Sequence, residues 1–337
     1  MTPAPLKMVF LGSDPIALPL LDWLAGDGAA LARITAVFSQ PDRPVGRGQQ
    51  VRQNAIKTWA LAHGLPVFQP EKLTDEVRAQ LAGLGADVAL VLAYGHILKE
   101  EFIATPRLGT LNLHASILPK YRGASPIQTA IAAGERETGV TLMRMVRRLD
   151  AGPVADVERV PIAPHDTAEA IEGRLAAACV PLLVRALPGL ADGSLRFTPQ
   201  DDSAATYCRR LEKEDGVLDF SAPAAVLAAR INGLFPWPGC RVALNGQSVK
   251  LGLAEAMDRA PSGDPGQFHV LSEIESGRVL GTDPRGLLVG TGAGVLRLRR
   301  LQRPGGRMME AEEFLRGFPV AAGTRLASHP MPVLTGP

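Results

Sequence analysis

Three polar residues in apolar surroundings have the side chains that acyl transfer to an amine requires. Asn112 and His114 lie two positions apart in an apolar run, and Asp150 precedes an Ala-Gly-Pro turn. A carboxamide can donate a hydrogen bond to a developing oxyanion, an imidazole can exchange a proton near neutral pH, and a carboxylate can orient the imidazole. These residue types predict acyl transfer through a tetrahedral intermediate, without a covalent nucleophile from the protein.

Short apolar strands alternate with helical segments over the first part of the chain. Strands are predicted at residues 7–11, 34–38, 88–93, 109–113 and 139–145, and helices at 15–25, 54–63, 74–84, 124–133 and 167–190. This alternation predicts an α/β fold with a doubly wound, mostly parallel, Rossmann-like sheet. Residues two apart in a strand point to the same side, so Asn112 and His114 share a face near a strand's carboxyl end, where such sheets bind ligands.

The sequence changes character after residue 192. Residues 193–208 are polar and irregular, and we interpret them as a linker between a catalytic domain, residues 1–192, and a C-terminal domain, residues 209–337. In the C-terminal part, Gly and Pro separate short apolar segments, and Asn245-Gly246 between two of them is a strong hairpin signal. We therefore expect a smaller antiparallel β-barrel, OB-like, in this part.

Composition and charge restrict the class of protein. The 337 residues are enough for about two domains, and 36 Lys and Arg against 34 Asp and Glu leave a formal charge of +2. A polyanion would therefore have to bind a local basic patch. The three cysteines are widely separated, the histidines lack metal-ligand spacing, and Pro, Gly or charged residues interrupt every long apolar run. We expect a cytoplasmic protein without a metal.

The Asn112 and His114 pair alone leaves two interpretations open, because such a pair near a turn is often only a satisfied polar pair. The longer string is more specific, and its members are Asn112-Leu-His114, Leu118-Pro-Lys-Tyr-Arg-Gly123, Pro126-Ile-Gln128, Glu137-Thr-Gly-Val-Thr141 and Asp150-Ala-Gly152. Together they resemble the signature of the 10-formyltetrahydrofolate-dependent formyltransferases.

Further strings resemble the methionyl-tRNA branch of that family. They are spread over nearly the whole chain: Gly12-Ser-Asp-Pro15, residues 40–48, Phe68-Gln-Pro70, Ala93-Tyr-Gly95, Lys213-Glu-Asp-Gly216, Pro236-Trp-Pro-Gly239, Leu301-Gln-Arg-Pro-Gly305 and Phe314-Leu-Arg-Gly317. One departure is Asn232, which stands where the family often has an arginine.

The resemblance implies roles for individual residues. Asn112, His114 and Asp150 would be catalytic, 10-formyltetrahydrofolate would be the co-substrate, and methionyl-initiator tRNA would be the partner of an expected monomer. The folate would contact Leu92, Ala93, Tyr94, Gly95, His96, Ile97, Ser116, Leu118, Pro119 and Gly152. The turn at residues 12–15 is not a GxGxxG fingerprint, so a dinucleotide cofactor is not expected.

Two basic stretches are candidates for tRNA binding. Arg43 and Arg47 lie in the polar loop at residues 41–51, with Arg52 directly after it, and the resemblance implies that this loop approaches the acceptor end. Residues 297–307 contain five arginines and no acid, with Arg297, Arg299 and Arg300 on a predicted strand. Arginines in both stretches suit phosphate contacts, although either stretch can also be a merely solvated surface.

Two alternative functions remain open from the sequence. A folate-dependent formyltransferase that acts on an amino-sugar nucleotide would have nearly the same catalytic string. A non-catalytic relative that binds RNA or folate would have the same scaffold. The arginine-containing loop favours a long polyanion over a single nucleotide as the substrate. The presence of all three predicted catalytic residues, Asn112, His114 and Asp150, argues against a non-catalytic relative.

Overall fold

The structure of the chain is a computed structural model that describes residues 4–45, 48–258 and 275–336. The chain forms two compact units. The first contains residues 1–122, 139–160 and 172–206, and the second contains residues 123–138, 161–171 and 207–337. Two segments that precede residue 192, which the sequence analysis assigned to the catalytic domain, thus belong to the second unit.

The described residues contain strands and helices with the following bounds. The strands are β1 Leu6–Leu11, β2 Ala32–Phe38, β3 Arg43–Val45, β4 Gln50–Arg52, β5 Val67–Phe68, β6 Val88–Val91, β7 Thr110–His114, β8 Arg122–Gly123, β9 Glu137–Arg144, β10 Val154–Pro161, β11 Tyr207–Cys208, β12 Arg241–Leu244, β13 Gln247–Met257, β14 Val279–Asp283, β15 Gly286–Gly290, β16 Val295–Gln302, β17 Met309–Glu310 and β18 Thr335–Gly336. The α-helices are α1 Leu18–Ala25, α2 Ala55–Ala62, α3 Asp75–Gly83, α4 Glu100–Ile103, α5 Pro126–Ala132, α6 Ala168–Asp192, α7 Ala224–Gly233 and α8 Ala311–Gly317.

A seven-stranded mixed sheet organises the first unit, in the order β10-β9-β7-β6-β1-β2-β5. The strands from β7 to β5 are parallel, whereas β9 is antiparallel to β7. The predicted parallel arrangement of the central strands is therefore confirmed, with an antiparallel strand added beside β7. Both β6 and β7 are buried along their whole length, as expected for central strands covered on both faces.

Helix starts in the first unit follow ordinary capping chemistry. Asn54 accepts a hydrogen bond from the Lys57 amide at the start of α2, at 3.0 Å. Thr74 caps α3, whose first turn contains Asp75 and Glu76. Such side chains satisfy free amides and place negative charge at the positive end of the helix.

An antiparallel sheet organises the second unit, in the order β12-β13-β16-β15-β14, with β17 paired to β16. The predicted hairpin is confirmed: Asn245 and Gly246 join β12 to β13 with φ angles of 47° and 74°. Two consecutive positive φ angles match the twist of the flanking strands. The inward residues of this sheet pack with α7 and α8 in one apolar core.

Asn232 has a structural role in this core. Its side chain lies on α7, is 2% exposed, donates to the Ala254 carbonyl at 3.0 Å and accepts from the Ala254 amide at 2.8 Å. Arg230 is also buried and donates to the carbonyls of Asp215 and Pro332. The position where the family often has an arginine therefore holds an amide that pairs α7 with β13.

Helix α6 is the one helix in the described part of the chain that is long and apolar enough to cross a membrane by length and composition. Half of its most apolar window is buried inside the protein. Its buried residues include Ile171, Leu175, Leu182 and Leu190. The core helix of a globular protein meets the same criterion, so the helix is weak support for a membrane span.

Asp215 is a buried carboxylate that should make the second unit sensitive to acid. It accepts from both terminal nitrogens of Arg209 and, at 2.7 Å, from the Glu212 amide. Burial by itself raises the pKa of Asp215, but these hydrogen bonds outweigh it and lower the pKa below its ordinary value. The stabilisation is therefore present above the ordinary carboxyl pKa and is lost as the pH falls through the folded-state pKa.

We expect Asp215→Asn to lower the free energy of unfolding at neutral pH by roughly 1–3 kcal/mol, because a charged, doubly bonded acceptor is replaced. The unfolding midpoint of the variant should also fall less steeply between neutral and acid pH than that of the wild type. Thermal unfolding at several pH values measures both effects. Equal acid sensitivity in the two proteins would assign the acid loss to other carboxylates.

Candidate active site

His114 lies at the carboxyl end of β7 between two oxygen atoms. Its Nε2 donates to the Tyr121 carbonyl at 2.9 Å, and its Nδ1 is 3.7 Å from Oδ2 of Asp150. A carbonyl can only accept, so the proton of the neutral ring lies on Nε2. An imidazolium would present its second N–H to the Asp150 carboxylate. Both side chains are almost buried, at 7% and 11% exposure.

Asn112 lies two residues before His114 and has an uncommitted carboxamide. Strand β7 places it between Val91 on β6 and Met143 on β9. The residue is 8% exposed, and residues 4–45, 48–258 and 275–336 offer its side chain no hydrogen-bond partner. Buried amides are normally paired, so a free one beside an imidazole suits a substrate oxygen. The predicted shared face of Asn112 and His114 follows from the strand geometry.

A tight turn brings Asp150 to the imidazole. Asp150 has a φ of 46°, in the left-handed region that is unfavourable for a residue with a side chain. Two residues later, a Cβ on Gly152 would lie 1.7 Å from the Arg144 carbonyl oxygen. Only glycine therefore allows the chain to pass Arg144 and enter β10. The turn explains how two residues 36 positions apart in the sequence become neighbours.

The predicted folate residues Ser116, Leu118 and Pro119 form the turn after β7. Thr141 on β9 donates to the Ser116 carbonyl at 2.6 Å and accepts from the Leu118 amide at 3.1 Å. Ser116 is fully buried and donates to the Lys120 carbonyl at 2.6 Å. The Leu118–Pro119 peptide is cis. The hydroxyl of Ser116 thus stabilises the turn, because its hydrogen bond goes to a backbone carbonyl within it.

The segment after β6 has polar backbone groups that find no partner among the described residues. Ala93 and Gly95 have φ angles of 51° and 81°, and the Ile97 side chain is 89% exposed. The backbone groups of residues 95–97 make no hydrogen bond to another described residue. Leu92 and Tyr94, in contrast, are buried, and burial raises the pKa of the Tyr94 phenol. The His96 ring packs edge-on against Tyr94, with ring centres 5.0 Å apart.

A cleft of about 730 Å³ also lies in the first unit, lined by residues from 100–110 and 144–148. It includes Thr110 on β7 and the segment that leads to Asp150. None of the predicted catalytic residues and none of the predicted folate residues lines it. Thr110 shares β7 with Asn112 and His114, but those two side chains and Asp150 lie outside the cleft.

Metal ligands are not clustered in the part of the chain that the structure describes. No group of three or more His, Cys, Asp or Glu side chains there could hold a metal ion. The cysteines Cys179, Cys208 and Cys240 are buried and form no disulfide. Burial raises the pKa of the Cys179 and Cys240 thiols to about 12, so both are poor nucleophiles at neutral pH.

The predicted basic loop contains a short hairpin, β3 paired with β4. Arg43 and Arg52 lie directly opposite each other across it, an arrangement of like charges that is unfavourable in the absence of an anion. Arg43 also contacts Glu71 at 2.7 Å, with both side chains largely exposed. Arg47, the third predicted arginine, lies outside the described residues.

The structure changes the interpretation of the second basic stretch. Arg297 is 2% exposed and pairs with Glu255 and Asp283. The prediction that Arg297 and Arg299 share a face is consistent with their common partner, since Arg299 approaches Glu255 at 3.8 Å. A buried arginine between two carboxylates is not available to a phosphate. Arg299 and Arg300 remain partly exposed.

Two residues near Asn112, His114 and Asp150 could not be singled out from the sequence. Gln200 donates to the backbone carbonyls of Asp150 and Gly152, at 2.8 and 2.7 Å. Its side-chain oxygen accepts from Arg122, which is 1% exposed. Gln200 stands in the polar stretch interpreted as a linker, and nothing in that stretch marks it. Arg122 belongs to a recognised string, but its burial was not predictable from its type.

The sequence matches known families over both units. Residues 6–187 match the Formyl transferase family, and residues 210–319 match the Formyl transferase, C-terminal domain family. A methionyl-tRNA formyltransferase of Aromatoleum aromaticum is 41% identical over 326 residues, which cover 96% of this chain and 98% of that protein. One of Thiobacillus denitrificans is 42% identical over 324 residues, which cover 96% of this chain and the whole of that protein.

Solved structures share the fold at low sequence identity. The N-formyltransferase of Helicobacter canadensis, in complex with folinic acid and dTDP-3-aminofucose, has a TM-score of 0.64 and 17% identity, over 88% of this chain and 99% of that one. HypX of Aquifex aeolicus in complex with tetrahydrofolic acid has a TM-score of 0.60 and 16% identity, over 94% of this chain but 48% of that longer one. With a free Asn, a His–Asp pair and matches of this length, the chain belongs to the formyl transferase family.

Proposed function

We propose that this chain transfers the formyl group of 10-formyltetrahydrofolate to the α-amine of methionyl-initiator tRNA. The observation that carries the chemistry is the buried His114 between Asp150 and Tyr121, next to the uncommitted Asn112 carboxamide. The acceptor follows from relatives named methionyl-tRNA formyltransferase that match almost from end to end.

The trio can divide the work of a direct transfer. The Asn112 amide would donate to the formyl oxygen as it becomes negatively charged, which stabilises the tetrahedral intermediate. The methionyl amine forms a bond to the formyl carbon and must lose a proton, and the folate nitrogen must gain one as its bond to that carbon breaks. His114 would move this proton, directly or through a water, with Asp150 facing its Nδ1. The protein needs no covalent nucleophile in this scheme.

The segment Leu92 to Ile97 fits a reduced folate. A pterin ring has donors and acceptors along its edge, and residues 95–97 have backbone groups without described partners. The buried Nε2 of His96 also lacks a partner among the described residues. The nearby turn with Leu118 and Pro119 would contribute apolar contact, and the Gly152 turn would close the site beside Asp150.

The second unit and the β3–β4 hairpin would bind the tRNA. We propose that the antiparallel sheet is an OB-like barrel, and that Arg299 and Arg300 on β16 contact phosphates. Arg43 and Arg52 would do so on the hairpin, where an anion relieves their mutual repulsion. Arg297 is left out of this surface because its guanidinium already pairs with Glu255 and Asp283.

The direct experiment offers three acceptors to the purified protein with 10-formyltetrahydrofolate. These are methionyl-tRNA, the same tRNA without methionine, and a dTDP-linked amino sugar. We expect formylation of methionyl-tRNA alone, and a parallel His114→Ala preparation should show no activity above background. Transfer to the amino sugar alone would instead support the alternative acceptor, and no transfer to any acceptor would contradict an enzymatic role.

Salt dependence tests the proposed phosphate contacts. Because each lost contact removes about 0.7–0.9 from the slope of log affinity against log salt, Arg299→Ala with Arg300→Ala should flatten it by about 1.4–1.8. The slope is measured from the KM for methionyl-tRNA at several salt concentrations. Replacement of the exposed Arg33 and Arg78 by Ala removes the same charge elsewhere and should leave the slope unchanged. An equal change in both double variants would rule out a local contact by β16.

A further inference from the structure

Arg122 is a fully buried cation whose hydrogen bonds lead to the catalytic turn. Its Nε and Nη2 donate to the Gln200 side-chain oxygen at 3.1 and 2.7 Å, and Nη2 also donates to Asp202 at 2.8 Å. A buried guanidinium needs such partners, since its desolvation is costly. The cation therefore fixes which way round the Gln200 amide lies, with its oxygen toward Arg122.

The opposite end of the Gln200 amide then points to the turn that carries Asp150. Its nitrogen donates to the carbonyl of Asp150 and to that of Gly152, at 2.8 and 2.7 Å. Both acceptors are backbone oxygens, so the position requires a side chain that accepts at one atom and donates at the other. A carboxylate of the same shape could satisfy Arg122 but could not hold the turn.

The turn needs this support because its backbone is strained. Asp150 has a φ of 46°, a conformation that costs a side-chain-bearing residue energy unless its surroundings impose it. Asp202 also connects Arg122 to the turn, because it accepts hydrogen bonds from Arg122 and from Arg148, which lies just before the turn. The hydrogen bond from Arg148 and then that from Arg122 lower the pKa of Asp202, so it remains charged at neutral pH.

The same stretch of chain also holds the other neighbour of His114. Thr206 accepts from the Tyr121 amide at 2.9 Å through its hydroxyl and from the Arg122 amide at 2.9 Å through its carbonyl. Tyr121, in turn, offers its carbonyl to Nε2 of His114. Residues 200–206 thus hold the backbone of Asp150 and of Tyr121, the two residues on either side of the imidazole.

We propose that Gln200, oriented by Arg122, is a positioning residue that directs the Asp150 carboxylate toward His114 during formyl transfer. This inference rests on the proposed function, because it assigns Asp150 a part in proton movement. Gln200 would act through the turn that carries Asp150, by its hydrogen bonds to the two backbone carbonyls. Its contribution is the direction of a carboxylate whose distance from Nδ1 is 3.7 Å, where a small displacement changes the interaction strongly.

The decisive variants are Gln200→Glu and Gln200→Met. The first keeps the shape and the acceptor for Arg122 but removes both donated hydrogen bonds, and the second removes them without adding a charge. We expect each to lower kcat for methionyl-tRNA about 10- to 100-fold, with little change in either KM. The pH profile of kcat should move in the same direction as that of Asp150→Asn, which a general loss of stability would not cause.

Gln80→Glu is the matched control, since it makes the same substitution on the exposed surface of α3, and its kcat and pH profile should equal those of the wild type.

The double variant with Gln200→Met and Asp150→Asn should be scarcely slower than Asp150→Asn alone, because both substitutions act through one carboxylate. Two results would overturn the inference even if the wild-type protein formylates methionyl-tRNA. One is a wild-type kcat in both Gln200 variants, and the other is a fully additive loss in the double variant with an unshifted pH profile in the Gln200 variants. A wild-type protein unable to formylate methionyl-tRNA would contradict both.

Discussion

Asn112→Ala is expected to lower kcat about 10²- to 10³-fold, the usual effect of removing one donor to a developing oxyanion. The loss should appear in kcat, because the donor acts most strongly on the charged transition state and only weakly on the bound formyl group. Stability should change little, since this carboxamide has no hydrogen-bond partner in the described part of the chain. Steady-state formylation and thermal unfolding together measure the two effects.

Asn232→Ala is the matched comparison, because it truncates a second buried asparagine whose amide is fully engaged. Asn232 exchanges two hydrogen bonds with the Ala254 backbone, and their loss should lower the free energy of unfolding by roughly 1–3 kcal/mol. The kcat per folded molecule should then stay close to that of the wild type. If Asn112→Ala instead loses stability and keeps its kcat, its carboxamide is a structural group and the oxyanion assignment is wrong.

The parts of the site that follow from short-range geometry could be predicted from the sequence. The two-residue period of a strand places Asn112 and His114 on one face whatever the rest of the fold does. The Asn245-Gly246 turn needs only its own two residues to adopt positive φ angles, and the structure has them. The alternation of strands and helices was likewise sufficient to predict that the central strands are parallel, because crossover connections permit few other arrangements.

The parts that depend on distant partners could not be predicted in this way. Asp150 reaches His114 only through the turn at Gly152, and the support from Gln200 comes from 50 residues further on. The sequence pattern suggests that the arginines of β16 are exposed. Arg297 nevertheless pairs with Glu255 on the neighbouring β13 and with Asp283 on β14, two strands away in the sheet. Periodicity gives the face on which a charge lies. Whether a carboxylate covers that face depends on the pairing of the sheet.

Asp150→Asn is expected to have the largest effect on the pH dependence of the reaction. The substitution keeps the shape of the side chain and removes its charge, so the turn held by Gln200 should persist. An imidazolium at His114 would then lose the carboxylate that faces its Nδ1 at 3.7 Å and would be less stable. Since positioned acid–base groups typically contribute about 10²- to 10⁴-fold to a rate, kcat should fall within that range.

The pH profile separates this role from substrate binding. Because the carboxylate faces the imidazole that would move the proton, its loss should change the pH dependence of kcat, while folate affinity stays near that of the wild type. Single-turnover rates across the pH range, together with folate titration of the same variant, measure both quantities. A wild-type pH profile combined with a uniformly higher KM for folate would make Asp150 a binding residue, because a lost contact to folate raises KM equally at every pH, whereas loss of a partner in proton transfer should alter the pH dependence of kcat.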